Sequence, residues 1–137
     1  MEYNDYFRDE YKYFLNSVVY NISENFSDDS DNGVNVAISD SLRFDANKDF
    51  LVIIATRKVD TVPETISTEV SYGARLYFKD ISINVENVDW KEKFRTEHLF
   101  DNVLRELFSR ISLIISQLTS ACGQVPLITV PFIEKDI

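Results

Sequence analysis

Along the first half of the chain, apolar side chains fall on alternate positions. Val18, Tyr20, Ile22 and Phe26 share one face of the segment 17–26, which predicts a half-buried strand because successive strand side chains point to opposite faces. The cluster DDSDNG at 28–33 predicts a turn, with Asn32-Gly33 suited to a tight reversal. The run VNVAISDSLRF then puts Val34, Val36, Ile38, Leu42 and Phe44 on one side, with Asp40 the single exception. After a second turn, DANKD at 45–49, the segment FLVIIATRKV opens as a continuous apolar run, as a strand covered on both faces would. From Ile66 the even positions are Ile66, Thr68, Val70, Tyr72, Ala74, Leu76 and Phe78, set against odd positions that are mostly polar. Gly73 is a candidate bulge or bend in this fourth strand. The turn signals between neighbouring runs predict an antiparallel meander.

The period then changes to three and four. Phe100, Val103, Leu104, Leu107, Phe108, Ile111, Ile114, Ile115, Leu118 and Cys122 make one broad stripe, which predicts a helix over 98–122. Burying such side chains contributes roughly 1.5–3 kcal/mol each, enough to anchor the helix on the sheet. The stripe is broad enough to cover the sheet and still offer surface to a second subunit. Gly123 and Pro126 end the helix, and LITV at 127–130 runs extended until Pro131. The aromatic residues of the N-terminus (Tyr3, Tyr6, Phe7, Tyr11, Tyr13, Phe14) have a spacing that permits an amphipathic helix. The expected organisation is a single α+β domain over 1–137: a helical extension at 1–16, a four-stranded antiparallel sheet at 17–78, a connecting segment at 79–97, one long helix at 98–122 and an extended tail at 123–137.

A chain of 137 residues is long enough for one core and too short for two. Residues 1–33 carry eight acids against Arg8 and Lys12, so they hold most of the net charge of −9. That balance repels phosphate backbones and argues against nucleic acid. The N-terminus has neither the basic start nor the apolar core of a signal peptide, no apolar run has the length of a membrane span, and Cys122 is alone. A cytoplasmic protein without membrane insertion is the expectation. His98 and Cys122 stand about six helical turns apart if both lie on the helix, so they cannot form a nucleophile pair within one chain. No cluster has zinc spacing, DDSD at 28–31 lacks the glycine and closing glutamate of a calcium loop, and the three glycines are too scattered for a phosphate loop. The expectation is no catalytic residue, no metal and no cofactor.

The segment from Leu99 onward is similar to the SecB export-chaperone family. Leu99-Phe100 opens the helix, Arg105-Glu106 stands where that family often has an Arg-Glu pair, and Gly123-x-x-Pro126 is followed by an apolar strand and Pro131-Phe132. Four strands before the helix match the family's order over 17–78. The resemblance implies an ATP-independent holdase that binds unfolded polypeptides in apolar grooves, assembles as a dimer or a dimer of dimers, and hands clients to the SecA motor. It implies groove candidates at Tyr72, Tyr77, Phe78, Trp90, Phe94, Leu99 and Phe100, each of which also suits a core. Glu69-Val70 matches a Glu-Val of the family's acidic docking surface, which makes Glu69 a candidate for partner docking. The family's first-strand acids are replaced at Asn21 and Asn25, and the chain ends at FIEKDI without the family's closing helix and metal-binding tail. A SecB-like chaperone with a dedicated client, as in toxin–antitoxin-linked members, is a second reading. A non-chaperone interaction module on the same fold is the third.

Overall fold

The computed structural model describes residues 2–22, 35–62, 66–80, 83–120 and 127–132. Four strands, β1 (Phe7–Ile22), β2 (Asn35–Ala46), β3 (Phe50–Val62) and β4 (Ile66–Phe78), form one antiparallel sheet in the order β1-β4-β3-β2. β2, β3 and β4 follow the expected meander, but β1 pairs with β4, setting Val18 opposite Val70. Burial explains the order. Leu51, Ile53, Ile54 and Ala55 of β3 and Val70, Ala74 and Leu76 of β4 are buried and need neighbours on both sides, whereas β1 tolerates an edge. The turn expected at 28–33 lies outside the described residues.

The N-terminal segment is not a helical extension. Helix is confined to α1 (Tyr3–Tyr6), and the chain is extended from Phe7 rather than from 17. Tyr11, Tyr13 and Leu15 alternate as well as they repeat at helical spacing, and the open hydrogen-bonding edge of β4 selects the strand. They stand opposite Leu76, Ala74 and Tyr72. Gly73 is no bulge either, since its register is continuous on both sides and the irregularities fall in β1, between Phe7 and Tyr11 and between Leu15 and Ser17. What Gly73 provides is space, because the Phe14 ring lies where a side chain would begin.

The stretch read as a connecting segment holds a 3-10 turn (Val85–Asn87) and α2 (Trp90–Glu97). Asp89 caps α2 by accepting from the Glu92 N–H at 3.1 Å. His98 ends it in the left-handed conformation, with φ 52° and ψ 34°, and turns the chain into α3 (Asp101–Ser120). α3 buries Val103, Leu104, Leu107, Phe108, Ile111 and Ile115 against the sheet. Cys122, Gly123 and Pro126 lie outside the described residues. At the start of α3 an aromatic cluster closes the core. Phe7 stacks on Phe78 with centroids 5.1 Å apart, Trp90 lies 5.4 Å from Phe78 and 6.1 Å from Phe100, and the Trp90 indole donates to the Val85 carbonyl at 3.0 Å. No helix of the described residues is long and apolar enough to cross a membrane.

Candidate functional site

A single helix is about 10 Å wide, whereas four strands at about 4.8 Å spacing make a wider sheet, so α3 leaves a furrow on each side. With 3.6 residues per turn, Leu104, Leu107, Ile111 and Ile115 face the sheet. Phe108, Ser112 and Thr119 then lie on the flank toward β2, Glu106 and Arg110 face the side of β1, and Leu113, half a turn from Leu104, points outward.

The β2-side furrow is filled by the chain's own residues 127–132. Its floor is a buried ion pair. Arg57 and Asp40 stand directly opposite each other in the β2–β3 register on the core face, both side chains fully buried. The guanidinium meets the carboxylate through two bonds, Nε to Oδ1 at 2.8 Å and Nη2 to Oδ2 at 2.9 Å, and lies 4.9 Å beneath the Phe108 ring. Its remaining N–H groups go upward. Nη1 donates to Thr129 Oγ1 at 3.0 Å, to Ser112 Oγ at 3.2 Å and to the Val130 carbonyl, while Nη2 donates to the Phe132 carbonyl. Thr129 and Ser112 are themselves bonded at 2.9 Å, and the Leu127 N–H donates to Thr119 Oγ1 at 2.7 Å. Asp40, the exception to the apolar alternation, is thus the counter-charge of a cation that holds the tail.

The β1-side furrow is open. Near the start of α3 it widens into a cleft of about 630 Å³ lined by Tyr3, Tyr11, Tyr13, Leu99, Glu106 and Arg110 among others. Arg110 organises it: Nε donates to Glu106 at 2.8 Å and Nη1 to the Tyr72 hydroxyl at 3.2 Å, with the guanidinium 4.9 Å from the Tyr13 ring and 5.5 Å from that of Tyr72. Burial pushes the Tyr3 phenol up to about 12, with Tyr13, Tyr11 and Asp9 adding to it. Burial and Glu106 likewise raise Tyr13, and the hydrogen bonds Arg110 donates to Tyr72 and Glu106 raise Arg110. Each of these shifts moves the group's titration further above neutral pH, so the phenols keep their protons and Arg110 its charge. Along the same face of β1, Tyr11 is 60% exposed, Leu15 52% and Val18 38%, and Leu113 of α3 is 58% exposed. Among the described residues no group of three or more His, Cys, Asp or Glu is placed to hold a metal.

Of the residues expected to line a groove, Phe78, Trp90 and Phe100 are buried in the aromatic cluster and build the core instead. Rings of that size at the open end of the sheet lose most by staying wet, so they close it. Phe94 is partly buried, 6.3 Å from Phe44. Leu99 and Tyr72 do belong to the open furrow, one lining the cleft and the other bonded to Arg110. Tyr77 lies on the opposite sheet face, 6.0 Å from Phe50 and beneath Arg8. Glu69 is exposed on that face beside Lys58. Sequence reasoning missed Arg57, Arg110, Tyr11 and Leu15. The signal for Arg57 was an arginine inside an apolar strand.

The fold so defined is SecB-like. The Mycobacterium tuberculosis Rv1957 SecB-like chaperone, solved with a ChAD peptide from the Rv1956 HigA1 antitoxin, superposes with a TM-score of 0.66 over 86% of this chain and 85% of that one, at 10% identity. A Streptococcus agalactiae protein of unknown function superposes with a TM-score of 0.45 over 88% of this chain and 96% of that one, at 16% identity. No family model matches the chain, and no curated protein matches it. The likeness is one of fold.

Proposed function

We propose that this chain is an ATP-independent, SecB-like holdase that binds unfolded polypeptides along the β1-side furrow. The observation that carries this reading is the run of exposed apolar side chains along β1, Tyr11, Leu15 and Val18, which leads into the cleft that Tyr11 lines on a rigid sheet-and-helix scaffold. Many weak apolar contacts along a fixed surface hold an extended client without demanding one sequence. Tyr72 and Leu99 serve the same furrow, and β1 leaves a free edge at which subunits of a dimer or a dimer of dimers join. On this reading the protein works in the cytoplasm and needs no cofactor, and SecA docking through Glu69 is a separate property to be assayed on its own. A dedicated client is the second reading, and the polar fittings of the cleft (Asn102, Glu106, Arg110) favour it, because they select among apolar segments.

The test is suppression of aggregation of a chemically unfolded client, alongside mass in solution, for the native chain and for Leu15→Asp and Val18→Asp. The proposal expects suppression by the native chain and its loss, by about tenfold in the concentration required, in each variant with the fold retained. Variants that lower the oligomer mass while suppression is unchanged would make the strip a subunit interface, as in a non-chaperone module. A native chain that leaves aggregation unaltered overturns the holdase reading.

A further inference from the structure

The chain already shows how an extended polypeptide is held beside α3. Residues 127–132 do not join the sheet. Among the described residues their hydrogen bonds all go to side chains, those of Arg57, Ser112 and Thr119. The Val130 and Phe132 carbonyls, two residues apart as in a strand, both accept from one guanidinium. Thr129 is turned inward, while Ile128 is 84% exposed and Phe132 57% exposed. A segment serving only to close the fold would bury its large apolar side chains. This one packs Leu127 on the core but presents Ile128 and Phe132 to water, and half of the hydrogen bonds that fix it go to carbonyl oxygens, which every polypeptide has.

We propose that the furrow between α3 and β2 is a second polypeptide-binding site, which reads the backbone of an extended apolar segment through Arg57 and which residues 127–132 occupy in the resting chain. This rests on the reading of the protein as a binder of unfolded polypeptides. The chemistry favours exchange over simple opening. Asp40 neutralises Arg57 whichever segment lies above it, but a vacated furrow would strand buried N–H groups without acceptors. An incoming segment therefore takes over the carbonyl positions as the tail leaves. The ligand is an extended, uncharged stretch with a small hydroxyl or β-branched side chain at the position of Thr129 and bulky apolar side chains on either side.

Replacing Ser112 and Thr129 by cysteine, with Cys122→Ser so that one pairing is available, locks the tail in the full-length protein when oxidised. The probes are the synthetic peptide LITVPF and reduced, carboxymethylated α-lactalbumin. LITVPF is expected to bind the reduced form about tenfold or more tightly than the oxidised form, because locking removes the competent population, and α-lactalbumin is expected to lose the share of its binding that the open furrow does not supply. In the native chain, saturating either probe speeds hydrogen exchange at the Leu127 amide, which donates to Thr119, and this measurement decides if the triple variant does not fold. Equal binding in both redox states, or unchanged exchange on client binding, overturns the second site and leaves the open furrow as the client surface. Absence of client binding by the native chain instead removes the holdase reading itself.

Discussion

Removing the Asp40 carboxylate leaves the Arg57 guanidinium buried without a counter-charge. Asp40→Ala is expected to cost about 3–5 kcal/mol in urea unfolding, and the double change Asp40→Leu with Arg57→Met to cost clearly less than the sum of the single changes. Additive losses would mean that the two residues act separately. At Gly73 the argument is steric. Gly73→Ala drives a methyl group into the Phe14 ring and toward Ile54, for a loss of about 1–3 kcal/mol. Adding Phe14→Leu should recover part of that loss, and no recovery would point to the backbone instead. The ion pair was half legible in the sequence, since Asp40 interrupts an apolar alternation and Arg57 ends the apolar run of β3. Their use was not legible. Arg57 meets the tail across 75 residues, and no local pattern encodes a contact at that range.

The elements were read best where one period dominated. The sheet strands from Asn35 to Phe78 and the helix α3 follow from alternation and from three-and-four spacing. The N-terminal segment satisfied both periods, and the free edge of β4 decided between them, a tertiary effect that propensity does not contain. α2 was overlooked although Asp89 and Glu92 carry a helix-start signature, because its apolar face is only Trp90 and Phe94. The junction of α2 and α3 yields a prediction of its own. His98 occupies a conformation that glycine adopts without strain, so His98→Gly should raise stability by roughly 0.5–1 kcal/mol in the same unfolding assay. A decrease would show that the His98–Asp101 contact at 3.7 Å outweighs the backbone gain.

For the molecule as a whole, Tyr3 sets an alkaline limit. Below the ordinary tyrosine value of 10.0 both the folded and the unfolded chain keep the phenol proton, and its contribution is complete. Between there and about 12 the unfolded chain loses the proton while the fold retains it, so stability falls as pH rises. Because the ring is partly exposed, the expected loss is on the order of 1 kcal/mol, and Tyr3→Phe should flatten the profile over that window. A profile that is unaltered in Tyr3→Phe would assign the alkaline loss to other groups. The buried cation has a further consequence, for synthesis. During translation the sheet and α3 can emerge before residues 129–132 do, and until then Arg57 has no carbonyl oxygens from the tail to receive its upward N–H groups. The stretch 129–132, which leaves the ribosome after the sheet and α3, is thus the one that completes the polar interior, and nascent chains arrested before it should remain protease-sensitive, however much of the sheet they have already made.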